Sequence, residues 1–159
     1  MEQVSISEVV EQLLAVLEEA CEHTPKAWTY FTDNKPGSGL FDTLVGISAA
    51  DASRPTGGTS IAAHVNHVLF GMNASAAWIQ GDQTPRDWSQ SWRVSTVDDA
   101  TWITLIEHLR VGYTELRQAI QTDAATSAMT LGAAIGAVTH IAYHLAAIRQ
   151  KLAHLLANR

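Results

Sequence analysis

The stretch Thr139-His140-Ile141-Ala142-Tyr143-His144-Leu145-Ala146-Ala147-Ile148-Arg149-Gln150 sets the reading of the whole chain. It reads as helix. At 3.6 residues per turn, His140 and His144 fall on one face, one turn apart. Neutral imidazole is the commonest protein ligand for borderline transition metals, and an i, i+4 pair on a rigid helix can hold two positions around one ion. Projected from His140, the residues Ile141, Leu145, Ile148, Leu152 and Leu155 make one broad apolar stripe. His140, His144, Lys151 and His154 border it, and Ala142, Ala146 and Ala153 lie opposite, around Arg149. A helix apolar nearly all round is buried on several sides. This one is expected to begin between Ser127 and Gly132 and to end near Ala157. Its small outer residues allow a close approach by another helix, which points to a homodimer.

Three further amphipathic helices are expected. The first runs from Ser5 to about Glu22, with Ser5 or Ser7 as cap and Glu8 at capping-box spacing from Ser5. Val9, Leu13, Leu14, Val16 and Leu17 recur on its inner side, with Glu11, Glu18 and Glu19 on the other. The second is capped by Thr59 or Ser60, runs to about Gln80 and stops at Gly81. His67 shares a stripe there with Ala63, Gly71, Ala74 and Trp78, and His64 lies at its edge. Gly71 either leaves room beside the His67 ring or permits close helix packing. The third opens at Ser95-Thr96-Val97-Asp98, again at capping-box spacing, and reaches about Gln121. Trp102, Leu105, Ile106, Leu109, Tyr113, Leu116 and Ile120 form its apolar stripe. His108 lies off that stripe, as an exposed or core-edge histidine.

Between the first and second helices, residues 23–58 make a long connection, and such lengths are often functional. Trp28, Tyr30 and Phe31 are expected to anchor it. Leu40 to Ile47 suggests a short helix, and Ser48-Ala49-Ala50-Asp51 a further turn before Pro55. The segment is either a lid over one end of the protein or a plain crossover. Gly81 to Val94 is a second loop, in which Trp88 and Trp92 must pack on the helices or on a partner. The fold class that follows is all-α: one domain over 1–159, an antiparallel four-helix bundle with a long crossover between the first and second helices.

Composition narrows the function. Hydrophobic residues make up 47% of the 159 and charged residues only 16%, so some apolar surface is expected to be covered by a second subunit. The net charge of -6, with no Lys/Arg run, excludes an electrostatic nucleic-acid footprint and an anionic-membrane surface. No run of about 18 apolar residues suggests a membrane span. The single cysteine, Cys21, cannot form an internal disulfide and fits a reducing cytoplasm. Met1-Glu2-Gln3 does not open a signal peptide. No Ser-His-Asp set, Cys-His pair or phosphate loop stands out. Cys21 sits at a helix end whose dipole does not favour a thiolate.

A His pair at i, i+4 alone is equally the mark of satisfied core histidines. The third imidazole, His67, on the inward stripe of another helix shifts the balance towards metal, since bundle cores build such sites from facing helices. Three His ligands with a fourth position open describe catalytic rather than structural zinc, and an all-imidazole set disfavours Mg²⁺ and Ca²⁺. The zincin pattern His-Glu-x-x-His is absent.

Two stretches carry a family resemblance: Ser60-Ile61-Ala62-Ala63-His64-Val65-Asn66-His67, a capping Ser followed seven residues later by His, and His140-x-x-x-His144 running on to Ile148-Arg149-Gln150. In these the chain resembles the DinB-like family of metal-binding four-helix bundles. The resemblance implies a triad of His67, His140 and His144 around a divalent ion such as Zn²⁺ or Ni²⁺. It also implies thiol-dependent transfer or hydrolysis on a small-molecule substrate, with a low-molecular-weight thiol such as bacillithiol or mycothiol, and a homodimer. His64 departs from the minimal pattern. It is the first candidate for general base, the alternatives being a supporting or proton-shuttling role beside the ligands or simply a polar residue near the pocket mouth. Arg54, Arg86 and Arg93 in the loops are candidates for a carboxylate site on the thiol. The competing functions are a non-catalytic metal- or ligand-binding stress protein and a metal-free structural bundle.

Overall fold

A computed structural model describes residues 3–22 and 28–158. Residues 23–27, where the expected crossover begins, and the Met1-Glu2 end lie outside the described residues.

The protein is all-α. Its helices are α1 (Ile6–Cys21), α2 (Leu40–Leu44), α3 (Ala49–Ser53), α4 (Ile61–Ile79), α5 (Asp99–Asp123) and α6 (Ala128–Ala157). Short 3-10 turns lie at Trp88–Trp92 and Ala124–Thr126. The β-type pairing among the described residues is an isolated bridge between Thr56 and Thr59.

Side-chain caps set most of the helix starts. Ser5 Oγ accepts from the backbone of Glu8, whose carboxylate accepts from Ser5 N–H in return. Ser48, Ser60 and Ser127 each accept from the backbone N–H three residues on. Each cap satisfies one of the donors that a helix N-terminus leaves unpaired. The expected start of α5 at Ser95 is displaced. Ser95 offers its carbonyl to Ser60 Oγ at 2.6 Å, and Val97 exchanges both backbone groups with Ser53 Oγ. Those tertiary bonds keep 95–97 out of the helix, and Asp98 caps it instead by accepting from Thr101 N–H at 2.7 Å.

The long helices pack pairwise: α4 lies against α5 and α6, and α1 against α6 and α5. Leu17, Val65, Val68, Met72, Leu109, Leu116, Ile120, Ile141, Leu145 and Ile148 are among the side chains fully buried where they meet. α6 is long and apolar enough, by length and composition alone, to cross a membrane. Its buried face is spent on α1 and α4.

From Leu40 to Ala52 the connection between α1 and α4 is part of the core. Leu40, Phe41, Leu44, Ile47, Ala49 and Ala52 are buried, and the indole of Trp102 donates to Ile47 O at 2.8 Å. Gly39 passes so close to the end of α1 that a Cβ there would sit 2.8 Å from the Glu22 carbonyl carbon. Trp28, Tyr30 and Phe31 are all exposed, so none is a buried anchor of the segment, although the Tyr30 hydroxyl ties it to α1 by donating to Gln12 Oε1. Its anchor is Glu19, expected on the solvent side and in fact buried. The carboxylate accepts from the backbone N–H groups of Tyr30, Phe31 and Thr32 at 2.7–2.8 Å and from Thr32 Oγ1 at 3.0 Å. Burial alone would raise its pKa. The four donors outweigh that and hold the carboxyl below its ordinary range.

Candidate metal centre

α4 and α6 pack against each other, and the histidines lie where they meet. His67 and His144 are buried and His140 is half-buried. One nitrogen from each of the three lies within 4.8 Å of the others. Gly71 is what admits His140: a Cβ on Gly71 would stand 2.7 Å from His140 Cε1 and 2.8 Å from Nδ1. The glycine therefore makes room for the ring from the facing helix, not for that of His67.

Hydrogen bonds orient the rings. Ser91 Oγ donates its one proton to Trp88 O at 2.6 Å. It must then accept from His67 Nδ1–H, also at 2.6 Å, which leaves the lone pair of His67 on Nε2. That Nε2 faces His140 Nε2 at 2.9 Å. His64, the fourth imidazole, places Nδ1 2.9 Å from His144 Nδ1 and Nε2 3.1 Å from Thr59 Oγ1. Both of its nitrogens are thus engaged.

A cap covers the cluster. Trp92 stacks on His67 with ring centres 4.0 Å apart, and Trp88 lies 5.9 Å from the same ring. Asn66 on α4 fastens this turn by donating to Ser91 O at 2.7 Å. The cover over the histidines is therefore the loop of the two tryptophans, while the connecting segment packs into the core between Leu40 and Ala52. Ser91, the residue that sets the His67 tautomer, lay outside the sequence reading. Its one signal was a pair of tryptophans in an otherwise polar loop.

Burial lowers the basicity of all four rings. His64 falls to about 4 through burial and then the nearby Lys151 ammonium. His67 falls to about 4 through burial and then His140 and His64, and His144 to about 3 through burial and its three imidazole neighbours. His140 is lowered by burial. All four are neutral at pH 7, the form that binds a metal. The same shift makes His64 a weak general base. His108 and His154 are exposed and stand apart from this group. Cys21 is buried, and burial raises its thiol pKa, so it is no nucleophile.

The three nitrogens suit a borderline transition ion. Zinc at about 2.0–2.1 Å from each ligand keeps two nitrogens roughly 3.4 Å apart. The 2.9 Å between His67 and His140 is within about half an ångström of that spacing. Neutral imidazoles with an outer hydrogen bond already fixing one tautomer are the chemistry such an ion selects. Of the loop arginines, Arg54 pairs with Asp51 at 3.7 Å and Arg86 with Asp82 at 2.5 Å.

No family model, no curated protein and no solved structure matches this chain.

Proposed function

We propose that this protein is a metal-dependent enzyme of the DinB-like kind, holding Zn²⁺ or Ni²⁺ through His67, His140 and His144 and acting on a small molecule by group transfer or hydrolysis. The observation that carries this reading is the convergence of three neutral imidazoles from α4 and α6, with the lone pair of His67 already turned inwards by Ser91. The long helices are read as an antiparallel four-helix bundle. The pairing of α1, α4, α5 and α6 supports this, as does the short turn that joins α5 to α6.

When bound, such an ion polarises an acyl oxygen or makes a thiol or water acidic near neutral pH. The chain's own residues supply the rest. Ser91 keeps the proton of His67 on Nδ1. When His144 Nδ1–H donates to His64 Nδ1, Nε2 of His144 keeps its lone pair as the ligand atom, so His64 acts by positioning a ligand. Trp92 shields one face of His67 from water. A low-molecular-weight thiol as co-substrate, a cytoplasmic location and a homodimer complete the proposal. They rest on the family resemblance, the lone cysteine and the small residues of α6.

One observation favours a second reading, a non-catalytic metal- or ligand-binding protein: His64, the candidate base, has both nitrogens engaged and low basicity. A panel of thiol-transfer and hydrolysis assays separates the two. The enzyme reading expects turnover in the zinc- or nickel-loaded protein that disappears in His67→Ala, His140→Ala and His144→Ala. Full activity in all three variants would end it.

A further inference from the structure

Beside the histidine cluster a groove of about 520 Å³ opens between the Thr56–Thr59 turn and the second half of α6. Its walls include Thr56, Thr59, Gln150, Lys151 and His154, and His64 lies on its inner side. The volume is that of a small-molecule site.

The charges in this groove are unusual for the chain. Net charge is -6, yet no Asp or Glu lines the groove. Its one permanent cation is Lys151, which makes no ion pair among the described residues. The ammonium is half-buried and donates to the carbonyls of Thr56 and Thr59, the latter at 3.0 Å. Two carbonyls take two protons and leave one proton and the whole positive charge without a counter-ion. Burial lowers the Lys151 pKa, as expected for a cation removed from water with no carboxylate beside it.

Lys151 is also joined to the cluster through a single residue. Thr59 accepts from the ammonium with its carbonyl and meets His64 Nε2 with its hydroxyl at 3.1 Å, while His64 in turn meets His144. An acid group held at Lys151 therefore leaves a short molecule's other end beside the histidines. We propose that this groove binds a small organic anion, a short-chain carboxylic acid, with Lys151 as its charge partner and its reacting end towards the metal-binding histidines. The orientation rests on the metal-centre reading; the anion site itself does not.

The test uses butyrate and its uncharged counterpart butyramide, titrated calorimetrically into metal-free full-length protein at low ionic strength. Butyrate is expected to bind at least about tenfold more tightly than butyramide, the scale of one charge-assisted hydrogen bond. Lys151→Met should remove that preference and Lys151→Arg should keep most of it. Because Lys151 also holds the Thr56–Thr59 turn, Gln150→Glu serves as the second variant. It leaves the clamp intact, adds a negative charge to the wall, and should weaken butyrate about tenfold while leaving butyramide unchanged. If butyrate binds no better than butyramide, or if folded Lys151→Met and Gln150→Glu both keep the preference, the anion site is wrong. If butyrate binds as described but the wild type takes up no zinc, the metal reading fails and the anion site stands.

Discussion

Replacing Gly71 by Ala separates the requirements of the metal centre from those of the fold. The new Cβ would lie 2.7 Å from His140 Cε1 and 2.8 Å from Nδ1, closer than carbon atoms pack, so the ring must move. Two effects on stability oppose each other. Ala in place of Gly within α4 gains about 1 kcal/mol of helix propensity. Overpacking at a close contact costs about 1–3 kcal/mol. The net change is therefore about 0–2 kcal/mol, small enough to leave a folded protein. The site does not share this tolerance. His140 Nε2 stands 2.9 Å from His67 Nε2, and a ring displaced by the methyl group carries that nitrogen out of position. Disturbing even a residue that supports a ligand typically costs 10–100-fold in metal affinity, and displacing the ligand should cost at least about that. The assay is competition for zinc against a chromophoric chelator, with urea unfolding of the metal-free protein alongside. Wild-type zinc affinity in a folded Gly71→Ala variant would refute the claim that Gly71 exists to seat His140.

Ser91→Ala removes the acceptor for His67 Nδ1–H and should lower zinc affinity about 10–100-fold in the same competition assay, with little change in helicity by circular dichroism. Glu19→Gln loses the charged acceptor of three backbone N–H groups and should cost about 2 kcal/mol in urea unfolding. Since the folded pKa of Glu19 lies below its unfolded value of about 4.3, its contribution is complete above that pH and is lost as pH falls through the folded value. The variant's acid unfolding profile should be correspondingly flatter below about pH 4.3. The histidines act in a different window. Their folded pKa values are lowered, so the unfolded chain binds more protons below about 6.5, and metal-free stability should fall as pH drops from about 6.5 towards 4. A double His140→Ala/His144→Ala variant should lose much of that slope.

The sequence made local features legible and left tertiary ones hidden. Ser5, Ser48 and Ser60 cap helices where a cap was expected, Ser5 and Ser60 each as one of two candidates, and Ser127 caps α6 at the early end of its expected range, because the bond spans three residues and needs nothing else. Ser95 had the same spacing and failed, because Ser60 and Ser53, far away in sequence, claim the backbone around it. His67, His140 and His144 were found by projecting helices at 3.6 residues per turn, and α4 and α6 do bring them together. The projection placed Lys151 at the edge of the α6 stripe but not in a groove, and it could not show that Ser91 and Trp92 meet His67, since loops have no period and a groove between two segments has no sequence signature. Glu19 looked like a surface residue because its partners lie 11 to 13 positions away, beyond residues that give no pattern.

The central claim is tested most directly by metal content. Protein purified without a His tag, measured by elemental analysis beside the His140→Ala/His144→Ala variant, should carry about one zinc or nickel ion per chain, and the variant should carry none. Absence of metal from the wild type, even after zinc or nickel is added back and the excess dialysed away, would contradict the account and leave the histidines as hydrogen-bonded members of a structural core.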